Sequence, residues 1–219
     1  MTDNIAPRAD GLGAALDCLR LVLPECRAEV HSYGAHDRTL VGHARSKRRA
    51  EFRAGRIAAS RAGMALAGTP FIAGRGADGA PVWPRGLRGS ISHSAGQAVA
   101  LLGRADAWSG LGVDIEGALC PEVAKDIAPV ALTAAERSLF GTSPLAVGMI
   151  FSAKESLFKA LSPLIGRRFD FDAAQLSANA PQLCLTCDLA PGWQAGRKID
   201  VVMIPFEAGV LTAVALPAL

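Results

Sequence analysis

Two short stretches restrict what this chain can fold into more than its composition does. Residues 112–116 read GVDIE, and residues 151–160 read FSAKESLFKA. Each sets carboxylates among apolar residues bound for a core, and a lone buried charge costs several kcal/mol unless it finds a partner. GLGVDIE (110–116) reads as a strand. Residues two apart on a strand point the same way, so Asp114 and Glu116 share one face while Val113 and Ile115 take the core face. Carboxylates side by side raise each other's pKa. A hard divalent cation such as Mg²⁺, which takes oxygen ligands, removes that repulsion; the alternative is a solvated strand end without metal. On a helix, Glu155 and Lys159 stand at i and i+4 and share a face. Glu155 is then either a third acid for the same cation or half of a surface ion pair worth about 0.3–0.5 kcal/mol. Lys154, its neighbour, fans away by roughly 100°.

A second constraint is positive. The segment from Arg45 to Arg61 is dense in Arg and Lys against one acid, Glu51, although the whole chain of 219 residues carries a formal net charge of only +3. Such a patch attracts anions locally. As a helix, RSKRRAEFRAGR aligns Arg45, Arg49, Arg53 and Arg56 in one stripe, with Arg48 within a turn of it. This is a solvated face, a phosphate grip of guanidinium forks, or a nucleic-acid surface. Aromatic residues are only 5% of the chain, so stacking platforms for nucleic acid are scarce. GSISHSAG (89–96) reads as a loop whose Ser90, Ser92 and His93 could bind a phosphate. A nucleophilic serine is the other option, but adjacent Ser92 and His93 fit the usual serine–base geometry poorly.

The elements read as a mixture. Residues 11–23 form a helix ended by Pro24, and 28–34 a strand. Residues 44–67 form a long helix, with Phe52, Ala59, Ala62 and Leu66 near one apolar face. Residues 68–90 are Gly- and Pro-rich loop and turns. AVALLG (98–103) and GLGVDIE are strands. Thr133 and Glu136 make a capping box that opens a helix over 132–140, and a further helix containing FSAKESLFKA is closed by Pro163. The remainder alternates like strands. This order implies an α+β fold, with a boundary near residue 108 that gives halves 1–108 and 109–219 of one unit. Five scattered cysteines argue against a disulfide framework, and Cys184-x-x-Cys187 has no second ligand pair nearby, so it reads as strand residues. Neither a signal peptide nor a membrane span is read, and the expected setting is the cytoplasm.

GVDIE followed by FSAKESLFKA closely resembles the paired signature of 4′-phosphopantetheinyl transferases. KRRAEFRAGRIAASRA, GAPVWP and GSISHSAG resemble the further motifs of the enterobactin-synthase type within the monomeric surfactin-type class. The likeness runs from about Lys47 to Lys159, in the family's order. It implies a monomer of two pseudo-twofold α+β halves with coenzyme A in the cleft between them. It also implies transfer of 4′-phosphopantetheine from coenzyme A to a serine of an apo acyl or peptidyl carrier protein, with 3′,5′-ADP leaving. By motif position Asp114, Glu116 and Glu155 are carried over as ligands of Mg²⁺, for which Mn²⁺ could substitute. Glu155 is also the expected base, alone or through a metal-bound water. Lys159 falls where it neutralises the pyrophosphate or protonates the leaving group, and Lys154, on the other signature lysine, is expected to contact coenzyme A. Arg48, Arg56 and His93 fall on the 3′-phosphate, Arg75 on the nucleotide end, and Ser92 on the same ligand. Trp83 either flanks adenine or packs a loop, and Phe151 reads as core. No nucleic acid or membrane is implied as a partner. A coenzyme A-binding protein without catalysis is the rival reading.

Overall fold

The computed structural model of the chain describes residues 8–33, 44–77 and 79–218, with side chains for all of these but 44 and 45. In chain order the elements are helix α1 (Leu12–Val22), strand β1 (Arg27–Ser32), helix α2 (Ala44–Ala67), short strands β2 (Gly74–Arg75) and β3 (Pro81–Val82), and strands β4 (Leu87–Ser94), β5 (Gln97–Arg104) and β6 (Trp108–Gly117). Helices α3 (Pro121–Ala131), α4 (Ala134–Phe140) and α5 (Pro144–Ile165) follow, then strands β7 (Ala174–Leu176), β8 (Gln182–Leu185), β9 (Lys198–Asp200), β10 (Val202–Phe206) and β11 (Gly209–Pro217). The class is α+β, as the mixed order implies.

Two antiparallel three-stranded sheets carry the architecture, ordered β1-β5-β4 and β10-β11-β6. Each is backed by a long helix: α2 lies on β5 and β1, and α5 lies on β6 and β11. The sheets meet where β4 runs beside β6, Ser92 against Asp114 and Ser94 against Glu116. Behind this seam α1 inserts Leu12, Leu16 and Leu19 against Val99 and Leu101 of β5 and against Leu111, Val113 and Ile115 of β6. One apolar cluster therefore spans both sheets. A third three-stranded sheet, β7-β8-β9, extends the core around α5 with Leu183, Leu185 and Ile199. Among the described residues no helix is long and apolar enough to cross a membrane.

Several local expectations change. GSISHSAG is not a loop. Its residues 89–94 belong to β4, and Ala95 and Gly96, at φ 47 and 78, turn the chain directly into β5. Serine and histidine suggest a loop by polarity, but their period of two is a strand's. Ser90 and Ser92 are buried on one face. Phe52 leaves the buried face of α2, which is built from Ala54, Ala58, Ala59 and Ala62; these small residues let the helix sit close to β5. Pro163 does not close α5. The helix runs to Ile165 and ends at Gly166 in the left-handed conformation, with φ 66 and ψ 18. Helix α3, which carries Pro129 inside it, is an element not read from the sequence pattern.

Both faces of β6 are buried. Val113 and Ile115 face α1, while Gly110, Gly112 and Asp114 face α5. A Cβ on Gly112 would lie 1.8 Å from the Ser156 carbonyl oxygen, and one on Gly110 would lie 2.3 Å from that of Ala160. Backbone meets backbone here, so no rotamer change can relieve a side chain. Gly112→Ala is expected to lower stability by about 3 kcal/mol. Gly13→Ala, in α1 where a Cβ meets nothing within 4 Å, is expected to raise it by about 0.5–1 kcal/mol. Urea unfolding midpoints at constant slope measure both.

Candidate active site

Asp114 is 5% exposed, which excludes a solvated strand end. Its Oδ1 accepts from Ser92 Oγ at 2.7 Å and from Lys159 Nζ at 2.6 Å, and its Oδ2 accepts from Ser152 Oγ at 2.7 Å. Lys159 also donates to Ser92 Oγ at 3.2 Å and to the Val113 carbonyl at 3.3 Å. Ser152, Ser156 and Lys159 stand at i, i+4 and i+7 on the face of α5 that covers β6 and β11. Thr212 of β11 is in register with Asp114, so its hydroxyl enters the same layer. It meets Ser152 Oγ at 2.9 Å and Ser156 Oγ at 2.7 Å. The sequence reading passed over Ser152, Ser156 and Thr212. Their signal was a lone hydroxyl in the apolar strand GVLTAVAL and two hydroxyls spaced one helical turn apart.

The other two acids flank Asp114. Glu116 Oε1 accepts from Gly117 N–H at 3.1 Å and from Ser94 Oγ at 3.3 Å. Burial, and then the charge of Asp114, push its carboxyl up, against the pull of those two bonds and of Lys159. Burial likewise raises Glu155; Lys159 pulls it down, Asp114 pushes it up and Arg168 pulls it down. Arg168, which also stands over the Phe158 ring at 5.3 Å, carried no signal in the sequence. Among the described residues no three His, Cys, Asp or Glu side chains are gathered closely enough to hold a metal as they stand. Lys159 occupies Asp114 Oδ1 instead. The donor chemistry still fits a hard divalent ion: Asp114 lies within electrostatic reach of both Glu116 and Glu155, and each of those two is made reluctant to ionise by burial and by Asp114.

The basic helix forms the wall of a cavity of about 660 Å³, lined by Arg48, Arg49, Phe52, Arg56, Arg75 and His93 among others. Arg56 donates from Nε to the Ala73 carbonyl at 3.2 Å and from Nη2 to that of Gly74 at 3.0 Å, and lies 3.9 Å over the Phe52 ring. Burial first, and Arg75 second, disfavour its charged form. The cations crowd one another, as they do where an anion is awaited. Glu51 is the acid at this wall, 3.8 Å from Lys47 Nζ and 4.0 Å from His93 Nδ1. Ser92 and His93 point to opposite faces of β4, so a serine–histidine pair is not formed. The side chain of Arg45 lies outside the described residues; of the basic stripe, Arg49 and Arg56 line the cavity. Trp83 packs edge-on against Phe71 at 6.2 Å, the loop-packing alternative, and Phe151 stacks on Phe171 at 5.4 Å in the core. Cys184 and Cys187 are free.

Residues 36–103 match the family model of the 4′-phosphopantetheinyl transferase N-terminal domain, and residues 110–200 match that of the 4′-phosphopantetheinyl transferase superfamily. The chain is 38% identical over 168 residues to enterobactin synthase component D of Salmonella typhi, covering 72% of this chain and 69% of that protein. It is 36% identical over 192 residues to the 4′-phosphopantetheinyl transferase Svp of Streptomyces mobaraensis, covering 81% and 76%. It is 34% identical over 173 residues to the 4′-phosphopantetheinyl transferase PptT of Mycobacterium tuberculosis, covering 75% and 70%. The chain belongs to the 4′-phosphopantetheinyl transferase superfamily.

In this phosphopantetheinyl transferase one expected ligand contact is corrected. Lys154 does not reach toward a substrate. It is 3% exposed, and its Nζ donates to Glu136 Oε2 at 2.7 Å and to the Ala131 carbonyl at 2.9 Å. Burial lowers its pKa, and the bond to Glu136 and that carboxylate's charge work against the shift. Glu136 is fully buried; it also accepts from Thr133 N–H at 2.8 Å, as the capping box requires, and from Leu176 N–H at 2.7 Å. The pair ties α5 to α4, to the end of α3 and to β7. Lys154→Met is expected to destabilise the fold by about 3–5 kcal/mol, because it strands a buried carboxylate, and Glu136→Leu added to it is expected to restore most of that. Chemical unfolding of the single and double variants checks both.

Glu155 gives a pH dependence of known sign. Its folded carboxyl holds the proton more tightly than the unfolded one, whose ordinary pKa is 4.5. The stability this contributes is present at low pH and is lost as pH rises through the folded value, so at neutral pH the ionised group opposes folding. With metal chelated, Glu155→Gln is expected to melt above the unsubstituted protein at pH 8, and calorimetry should show the gap closing as pH falls toward about 4.5.

Proposed function

We infer that this chain transfers the 4′-phosphopantetheine group from coenzyme A to a serine hydroxyl of an apo acyl or peptidyl carrier protein. The observation that carries it is the pairing of the family match with two separate charged sites. A buried acid–lysine cluster lies at the seam of the two sheets, and a cationic cavity lies against α2. Coenzyme A bears a pyrophosphate and a 3′-phosphate some distance apart, and each site suits one of them. Arg48, Arg56 and His93 hold the 3′-phosphate, and Arg75 the nucleotide end. The ligand is held across the junction of halves 1–108 and 109–219.

At the seam Asp114, Glu116 and Glu155 would hold Mg²⁺, with Mn²⁺ as a substitute, which when bound neutralises pyrophosphate oxygens. Lys159 exchanges Asp114 Oδ1 for a pyrophosphate oxygen, and Ser92, freed on the same side, donates to the ligand. The carrier serine oxygen bonds to the phosphorus that bears pantetheine. The bond from that phosphorus to the bridging oxygen breaks, and 3′,5′-ADP leaves with that oxygen. Glu155, whose carboxylate is the more basic for its burial, takes the serine proton directly or through a water. Positioning and charge neutralisation do most of the work in such a transfer. A protein that only bound coenzyme A would need the cationic cavity but not the acid cluster. The enterobactin synthase relatives favour a carrier of siderophore assembly. We place the enzyme in the cytoplasm, working as a monomer, with neither nucleic acid nor membrane as partner.

Intact mass of an apo carrier mixed with coenzyme A, Mg²⁺ and the protein is expected to rise by one phosphopantetheine arm. No gain across a panel of carriers would leave the binding protein. Asp114→Ala and Glu155→Ala are expected to reduce transfer by roughly 10²–10⁴-fold while remaining folded, and near-normal turnover in either would reject the acid site. Arg56→Ala is expected to raise KM for coenzyme A far more than for 3′-dephospho-coenzyme A; equal effects would remove Arg56 from the 3′-phosphate.

A further inference from the structure

The two oxygens of Asp114 live in different surroundings. Oδ1 faces Ser92 and Lys159, whose side chain is 24% exposed. Oδ2 faces only Ser152, and behind Ser152 stand Thr212 and Ser156; all three are fully buried. An ionised carboxylate only accepts, so Ser152 donates to Oδ2. The Thr212 hydroxyl donates to the Ser152 carbonyl at 2.8 Å and stands 2.9 Å from Ser152 Oγ. Ser156 Oγ donates to the Thr212 carbonyl at 3.1 Å and stands 2.7 Å from Thr212 Oγ1. The contacts run from Ser156 through Thr212 and Ser152 to Asp114, from α5 to β11, back to α5 and on to β6.

We propose that Ser152, Thr212 and Ser156 form a hydroxyl rail that fixes Asp114 through Oδ2 and so holds Oδ1 ready for a divalent cation. This rests on the transferase reading above, in which Asp114 is a metal ligand. Three features set the rail apart from ordinary core satisfaction. It ends on a carboxylate. It has no exposed member. It also lies on the side of Asp114 that ligand exchange leaves untouched. When Lys159 and Ser92 turn to the substrate, Oδ1 loses both its partners and the rail alone keeps the carboxylate from rotating. Hydroxyls suit the task, because each both donates and accepts and none adds charge to a site already crowded with acids. Ser152, Thr212 and Ser156 are positioning residues in this scheme, since none touches substrate or metal.

The test is Mn²⁺ binding, followed by electron paramagnetic resonance, to the full-length protein with coenzyme A present and carrier absent. Melting temperature and steady-state transfer are measured beside it. Thr212→Val keeps the side-chain volume and breaks the rail. It is expected to weaken Mn²⁺ binding by about tenfold, as loss of an outer-shell partner does. At saturating metal, KM for coenzyme A should stay within about twofold, since the cationic cavity is untouched. Thr212→Ser restores the hydroxyl and is expected to return Mn²⁺ affinity to the original value. Ser152→Ala, one bond from Asp114, should act at least as strongly as Thr212→Val, and it serves if that variant does not fold. Ser156→Ala, at the far end, should act least.

A Thr212→Val or Ser152→Ala protein that melts lower yet binds Mn²⁺ normally would overturn the rail and leave only a packing role. An unsubstituted protein that transfers the arm but retains no Mn²⁺ would overturn the metal site and the rail together. One that binds Mn²⁺ but modifies no carrier would end the transferase reading, and the ranking of Mn²⁺ affinities would still decide the rail.

Discussion

The approach of strand β6 to helix α5 depends on two absent side chains. Gly112 and Gly110 let carbonyls of Ser156 and Ala160 occupy space that a Cβ would otherwise claim. Only at that separation can one carboxylate on the strand meet both a hydroxyl and an ammonium from the same helix face. Asp114 is buried, and a buried carboxylate without partners would cost several kcal/mol. Its three donors at 2.6–2.7 Å are the compensation. They come from β4 and α5, so satisfying this one side chain also fastens the first sheet to the second. The site and the joint between the two sheets are therefore one structure.

Strand β4 divides its side chains between the two charged sites. Ser92 and Ser94 face the acids of β6, and His93 and Ile91 face the cavity under α2. A strand alternates at every residue, so the acid cluster and the cationic cavity share one wall without sharing a side chain. This keeps opposite charges from collapsing onto each other. The acids at the seam stay short of cations, and the arginines of α2 stay short of acids, apart from Glu51. Each site is left with unspent charge that only a ligand of opposite sign can balance.

Much of this was legible because it is local. The long helix over 44–67, the capping box of Thr133 and Glu136, and the strand with Val113 and Ile115 facing inward follow from spacing and capping within a few residues. The facing of Asp114 and Glu116 follows from the same period of two. What stayed hidden needs contacts distant in sequence. Glu136 and Lys154 are eighteen residues apart, and nothing in either stretch says that one is the other's partner. Thr212 acquires meaning only from the β6–β11 register, which sets it opposite Asp114. Polarity misled at GSISHSAG, where serines that suggest a loop are instead the inward face of a strand at a polar seam.

The signature KESLFK shows how helix geometry separates two identical residues. Lys154 and Lys159 are five positions apart, which turns them about 140° from each other around α5. One enters the core and the other the seam. Burial depresses the pKa of Lys154, and Glu136 holds it in a bond with no exposed member; giving up that bond would leave two charges stranded. Lys159 is only partly covered, and Asp114 keeps Ser152 as a donor on its other oxygen. Its ammonium can therefore turn to another anion, because on leaving Asp114 it meets phosphate oxygen or solvent. The buried pair fixes where α5 lies, and the partly covered Lys159 is the cation that can move. A helix that had to supply both from one face could not have held the first rigid while leaving the second free.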